Sequence, residues 1–369
     1  MKKISKIKPN TLFSDVEKNE WKFQNLIGTG GFGQIYTISC CNSNKYERDE
    51  CAIKIEPSIN GTLFCEMYCY MHLKKSKINI IQWLLKINEN YLPLPRLISA
   101  GTCDIENIIY RFIIIQRFGI SLEKYMEEKY KNKLPVGVAA DIIVKMITAL
   151  QFMHENDYAH GDVKALNILF GNNDPNKVYL IDFGIAQRFI LNNEFISYNP
   201  NKKNKHNGTL MFTSCDMHEG ADPTPRGDLE SLGYNLVYWI CGSLPWSNLK
   251  NGDLVWEKKL KWRKFIDIET SETELIKPIK KYMNIVYKLK YDEFPNYTNL
   301  RKLFKPFIGT ISNVNFNTKI KKEKIPLSTM NAKSQPNKKI KSNGNKYKPV
   351  KVNKGYVRFI KSKDNVNID

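Results

Sequence analysis

No part of this chain limits its fold more than Tyr158-Ala159-His160-Gly161-Asp162-Val163-Lys164-Ala165-Leu166-Asn167. It sets out a carboxylate, a lysine two residues on and an asparagine five residues on. One acid can orient a hydroxyl, one cation can meet a phosphate, and one amide oxygen can bind a metal. Fifteen residues past Asn167 stands a second acid, in Asp182-Phe183-Gly184, directly behind the apolar run Val178-Tyr179-Leu180-Ile181. An acid at the end of such a strand can hold Mg²⁺ against the phosphates of a nucleotide. Each motif alone has a bland reading as a polar loop that caps its neighbours. In this order and at this distance they predict one site, where a phosphoryl group passes from ATP to a hydroxyl.

The residues upstream supply the rest of such a site. Gly28, Gly30 and Gly33 spell G-x-G-x-x-G, with Gly31 inside it. A dinucleotide-binding turn would need a helix directly after the third glycine. Here residues 34–38 alternate with period two, so the loop joins two strands and can lay its N–H groups over phosphates. Lys54, in Cys51-Ala52-Ile53-Lys54, sits in an apolar strand where an unpaired ammonium is costly. Glu66 on the following helix is its expected partner, and the pair aims the lysine at the phosphates. Asp162 is then the expected base, Lys164 the γ-phosphate contact, and Asn167 and Asp182 the Mg²⁺ ligands. Thr209, in an expected acceptor loop, can bond Asp162 and Lys164. Asp228 is expected to hold the backbone of the catalytic loop.

The pattern of apolar residues divides the chain. Residues 1–20 are polar and read as an irregular arm. From residue 21 to about 116, short alternating runs predict strands at 23–27, 34–38, 50–55, 96–100 and 108–115, with a helix over 63–73. Residues 135–155 predict an amphipathic helix, apolar at Ile143, Met146, Ile147, Leu150 and Met153, with Asp141, Lys145, Thr148 and Glu155 opposite. Residues 228–241 are apolar nearly all round and predict a helix buried on every side. Weaker helical patterns cover 277–287 and 300–307. The expected fold is α+β and bilobal: a sheet-rich lobe at about 21–116 and a helical lobe at about 117–308, with a cleft between them.

Composition narrows the function class. The eight cysteines are scattered with no C-x-x-C pair, so reduced and mostly buried thiols are expected rather than zinc ligands or disulfides. No uninterrupted apolar stretch reaches membrane length and no apolar region follows Lys2, Lys3, Lys6 and Lys8, so neither a span nor a secretory signal is expected. The formal charge is +20. Residues 319–369 hold fifteen cations against three acids, a net of +12. Residues 309–369 are rich in Lys, Asn and Ser and read as a largely disordered tail. Its charge suits an electrostatic contact with DNA or an acidic surface, and Lys338-Lys339-Ile340-Lys341 resembles a short nuclear-localisation cluster.

Gly161 stands where many protein kinases have Arg, and no A-P-E follows the acceptor loop. These departures, with residues 206–214, the run Pro225-Arg226-Gly227-Asp228-Leu229-Glu230-Ser231 and Leu244-Pro245-Trp246, resemble the vaccinia-related kinases of the casein kinase I group. The resemblance spans about residues 21–307. It implies a serine/threonine protein kinase using ATP and Mg²⁺, commonly nuclear and acting on chromatin-associated proteins; a nuclear or cytoplasmic place and a monomer are expected for this chain. It also implies that Ile115 is the gatekeeper, that residues 116–118, with Gln116 and Phe118, form the hinge, and that Ile35, Ala52 and Leu169 enclose the adenine, with Ile27 opening the glycine loop. Two other classes compete: a pseudokinase scaffold, and a nucleic-acid-binding protein acting through its tail. The first would lack one of Lys54, Asp162, Asn167 or Asp182, and all four are present.

Overall fold

The computed structural model describes residues 6–30, 33–43, 50–266, 268 and 274–308. Gly31 and the basic tail, with every expectation attached to them, lie outside the described residues.

The first lobe is built on a six-stranded antiparallel sheet of order β1-β2-β3-β4-β6-β5. Its strands are β1 (Leu12–Ser14), β2 (Glu20–Gly30), β3 (Gly33–Cys40), β4 (Cys51–Pro57), β5 (Leu97–Ile105) and β6 (Ile108–Gln116). Two helices, α1 (Phe64–Lys74) and α2 (Ile80–Ile87), stand between β4 and β5. Directly paired residues share a face of a sheet, and neighbours along a strand alternate. Phe23, Tyr36, Ile38, Ile53, Phe112 and Ile114 follow this register and form an outer core. Ile35, Ala52, Lys54, Ile113 and Ile115 occupy the opposite face, toward the second lobe. One alternating pattern thus gives the lobe its own core and a separate face for a ligand.

A short strand, β7 (Phe118–Ser121), leads into α3 (Leu122–Tyr130), where the Ser121 hydroxyl accepts from Lys124 N at 3.2 Å. Helix α4 (Val136–His154) follows, then β8 (Tyr158–Ala159), β9 (Ile168–Gly171), β10 (Val178–Leu180), β11 (Gln187–Arg188), β12 (Ile190–Leu191) and β13 (Glu194–Phe195). Five helices complete the described part after the short α5 (Cys215–Glu219): α6 (Pro225–Cys241), α7 (Gly252–Phe265), α8 (Ile276–Lys288), α9 (Tyr297–Lys302) and α10 (Lys305–Ile308). Helix α6 starts with Pro225 in its first turn and stops at Gly242, whose φ of 76° suits glycine. It is buried from Leu229 to Val237, and a side chain at Gly233 would collide with Met283 of α8. Helix α4 is long and apolar enough to cross a membrane, but 83% of that stretch is buried inside the domain, so it packs here as a core helix.

Several expectations need correction. Residues 1–20 are not a loose arm where they are described. Leu12, Phe13 and Ser14 pair with Lys22, Trp21 and Glu20, and Ile7 and Phe13 are buried in the outer core. Their apolar residues are too few to show a period, and only the sheet edge gives them a partner. Helix α4 is not amphipathic in the expected sense: Thr148 is fully buried and satisfies its hydroxyl on Val144 O at 3.0 Å. Helix α6 begins at Pro225 and carries Asp228 in its first turn rather than opening on it. Residues 300–307 divide between α9 and α10. Of the eight free cysteines, Cys51, Cys69, Cys103 and Cys215 are buried, while Cys41 and Cys65 are exposed.

The arm supplies a direct test. Phe13 packs edge-on against Phe112 at 5.2 Å between ring centroids and lies 5.4 Å from Phe23. Phe13→Ala is expected to cost about 3–5 kcal/mol, measured by denaturant unfolding. A solvated arm would show a change below about 0.5 kcal/mol.

Candidate active site

The catalytic loop is anchored from below. Asp228, on the buried helix α6, accepts from His160 N at 2.6 Å, Gly161 N at 2.8 Å and His154 Nε2 at 2.9 Å. Tyr297 donates its hydroxyl to His154 Nδ1 at 2.7 Å, so the imidazole has a partner on each side. His160 uses Nε2 on Ile181 O at 3.1 Å and accepts from Asp162 N at Nδ1, also at 3.1 Å, which joins the catalytic loop to the strand before Asp182. Gly161 has φ of 80°, and a Cβ there would sit 3.3 Å from Ile185 O. The position thus favours glycine on backbone grounds, where an arginine would be strained.

Above this anchor the expected catalytic residues come together. Asp162 Oδ2 accepts from Lys164 Nζ at 2.6 Å. Its Oδ1 accepts from the Thr209 amide at 2.9 Å and from the Thr209 hydroxyl at 2.7 Å. Lys164 also donates to Thr209 Oγ1 at 2.8 Å. The three side chains form a closed triangle, with carboxylate, ammonium and hydroxyl each touching the other two. Asn167 Nδ2 donates to Asp162 O at 2.9 Å. Its amide nitrogen is thereby committed to the loop, and its carbonyl oxygen is the atom of this side chain that can accept a cation.

Lys54 on β4 is 2.5 Å from Glu66 Oε2 on α1 and 3.3 Å from Asp182 Oδ1. Burial alone would lower the pKa of this ammonium, but Glu66 and Asp182 outweigh it and hold the value above the usual lysine range. Burial alone would raise the pKa of Asp182, and here Lys54 prevails, followed by His160 and Lys164, so the carboxyl stays ionised and below its usual range. An ionised carboxylate and an amide oxygen are hard donors of the kind that suit a small divalent cation bridging phosphates. Among the described residues no cluster of three His, Cys, Asp or Glu stands together as a metal site. Phe183 packs on Tyr70 of α1 at 4.6 Å and on His160 at 5.6 Å, which holds Asp182 between the two lobes.

The roof of the cleft follows from register. Gly28 pairs with Ile35, Ile35 with Lys54, and Ala52 with Ile115, so all five lie on the inner face of the sheet. Leu169 on β9 is half-buried in the second lobe's three-stranded sheet, where it pairs with Ser121 of β7 and Tyr179 of β10. Gln116 ends β6 and Phe118 opens β7, so residues 116–118 form the crossing between lobes. Ile27 sits at the irregularity between Leu26 and Gly28. The glycines differ in kind. A Cβ at Gly33 would lie 2.5 Å from Ile55 O, at a φ of 116°, so the fold itself requires glycine there. A Cβ at Gly28 would make only ordinary contact with Ile35, at 3.5 Å. Its missing side chain matters for what lies under the loop. Gly30 ends β2 opposite Gly33.

Sequence reasoning left two ties unnamed. The segment after Asp182 is pinned by pairing of Gln187 and Arg188 with Ala159 and Tyr158, and by Phe189 N on Asp157 O at 2.9 Å. At its far end, Asp216 takes two bonds from Arg226, at 2.6 and 2.7 Å, and so joins α5 to α6 where A-P-E is missing. Arg226 stands in the run that carries the family resemblance, but its ten-residue separation from Asp216 gives no sign of contact.

Two outcomes are expected. Lys54→Met and Asp182→Ala should each lower phosphate transfer roughly 100-fold or more while circular dichroism stays unchanged. Because these ties need no phosphate, and Gly161 replaces the usual phosphate clamp, removing any phosphate between Gly184 and Thr213 with a phosphatase, confirmed by mass, should leave activity unaltered. A large drop would mean that a modified residue orders the segment.

Comparison with known proteins agrees with this geometry. The protein kinase domain model matches residues 21–294. A probable serine/threonine-protein kinase of fowlpox virus is 38% identical over 80% of this chain and 95% of its own length. Human serine/threonine-protein kinase VRK2 is 33% identical over 95% of this chain and 68% of its own. Nucleosomal histone kinase 1 of Drosophila melanogaster is 35% identical over 81% of this chain and 50% of its own. The solved structure of vaccinia related kinase 3 superposes with a TM-score of 0.73 at 25% identity, covering 84% of this chain and 94% of that one. A catalytic triangle of Asp162, Lys164 and Thr209, a lysine paired across the cleft and these relatives lead to one assignment: the chain belongs to the vaccinia-related family of serine/threonine protein kinases.

Proposed function

We propose that this kinase transfers the γ-phosphate of ATP, bound with Mg²⁺, to serine and threonine hydroxyls of chromatin proteins. The observation that carries the chemistry is the closed triangle of Asp162, Lys164 and Thr209 beside the Lys54–Asp182 contact. Asp162 orients the acceptor hydroxyl and takes its proton as the bond to phosphorus forms. Lys164 faces the negative charge on the transferred group, and Lys54, braced by Glu66, faces the phosphates behind it. Asn167 and Asp182 are the residues that would hold Mg²⁺, which supplies charge neutralisation at the phosphates when bound. Catalysis on this reading is positioning and electrostatics. A pseudokinase scaffold is disfavoured because none of these groups is missing or misplaced.

The chromatin substrate is supported by the name of the Drosophila relative, a nucleosomal histone kinase. The net +12 of residues 319–369 supports a second contact, an electrostatic tether to DNA or another acidic surface. Aromatic residues for stacking on bases are few there, which favours backbone contact over single-strand binding.

The test uses labelled ATP with nucleosomes, free histones and a neutral control protein, and Asp162→Asn as the inactive enzyme. Phosphoserine or phosphothreonine on histones, absent with Asp162→Asn, is the expected result. Equal labelling of the control protein would reject the chromatin preference. Deleting residues 319–369 should leave transfer to a short peptide intact and flatten the salt dependence of DNA binding. Equal DNA affinity of the two proteins at low salt would reject the tether.

A further inference from the structure

Helix α7 buries Val255, Lys259 and Trp262 on one face, and the middle one is a cation. Lys259 is fully buried and forms no ion pair among the described residues. Its amine meets three acceptors: Leu210 O at 3.1 Å, Thr213 O at 2.6 Å and His218 Nε2 at 3.1 Å. The rings of Tyr234 and Trp246 lie 4.9 and 5.4 Å from it. Three acceptors match the three N–H bonds of an ammonium.

The contact with His218 sets the protons further out. His218 Nε2 accepts, so its proton is on Nδ1, 2.8 Å from His206 Nδ1. His206 accepts there and carries its own proton on Nε2, 3.4 Å from Asp253 Oδ1. Burial, with Lys259 beside it, depresses His218 to about 2 and keeps that ring neutral. Burial pulls Lys259 below the usual lysine range, while Cys215 and Glu230 act to raise it and three acceptors favour the charged amine. A chain of four side chains thus runs from the core to the exposed Asp253 at the start of α7.

A buried cation without a carboxylate is a poor choice for stability, and an apolar side chain of similar length would suit the core better. The backbone held by Lys259 is the loop that starts at Thr209, which is bonded to Asp162. Trp246 Nε1 donates to Met211 O at 2.8 Å, between the two carbonyls that Lys259 holds. We propose that Lys259 is a positioning residue for the protein substrate: its ammonium shapes residues 210–213, beside the acceptor hydroxyl's place, and His218 and His206 hold it in that orientation. This rests on the reading of Asp162 as the base for that hydroxyl.

The test is steady-state kinetics on Lys259→Met and His206→Phe, varying peptide at saturating ATP and then ATP at saturating peptide. Lys259→Met should raise the peptide KM roughly tenfold or more, and His206→Phe about threefold, with the ATP KM within about twofold of wild type. The melting-temperature rise on adding ATP should match wild type in both. A peptide KM within about twofold of wild type in a folded Lys259→Met would overturn the proposal, as would a parallel rise in both KM values. Should Lys259→Met not fold, His206→Phe decides by the same comparison. Failure of the wild type to phosphorylate any peptide would instead reject the role of Asp162.

Discussion

Asp228 is the point on which the site depends. Its carboxylate lies in the first turn of a helix buried from Leu229 to Val237 and binds two consecutive amides of the catalytic loop. A loop has no hydrogen-bond ladder of its own, so its backbone groups need partners from elsewhere. Asp228 provides them from a helix buried in the core of the lobe. His154, held by Tyr297, closes the third side of the carboxylate. Asp162 can be aimed because the two residues before it are fixed to the core.

The cleft above is organised by charge. Lys54 spans Glu66 of the first lobe and Asp182 of the second, so one ammonium reports whether the lobes are closed. Asp182 stays ionised against the cost of its burial because that cation is beside it. Asp162 draws on a different cation, Lys164, and on Thr209 from a segment forty-seven residues downstream. Acceptor loop and base are therefore a single hydrogen-bonded unit, and movement of one disturbs the other.

The second lobe secures that unit from three directions. Arg226 grips Asp216, Trp246 holds Met211, and Lys259 holds Leu210 and Thr213. All three act on backbone or on a helix end rather than on a reacting atom. Their side chains come from α6, α7 and the turn between them, so the shape that receives a substrate is set by how these helices pack.

The reacting groups were legible because their chemistry demands particular residue types at short, ordered spacings. Asp162, Lys164, Asn167, Asp182 and the glycine loop could all be named from residue order, and the Lys54–Glu66 pair from the cost of an unpaired lysine in a strand. The alternation of residues 34–38 likewise showed a strand, not a helix, after the glycine loop. Other features could not be read because their cause lies far away in the chain. Phe13 belongs to the core only because β1 finds the edge of β2. Helix α7 hid its buried stripe behind Lys259, which reads as a surface residue until the carbonyls of Leu210 and Thr213 surround it. Helix α3 buries little besides Leu122 and Met126, too few for a period. Local spacing names the atoms that react; long-range packing alone chooses which distant backbone groups a buried side chain must satisfy, because hydrogen bonds and burial are settled in space and not along the chain.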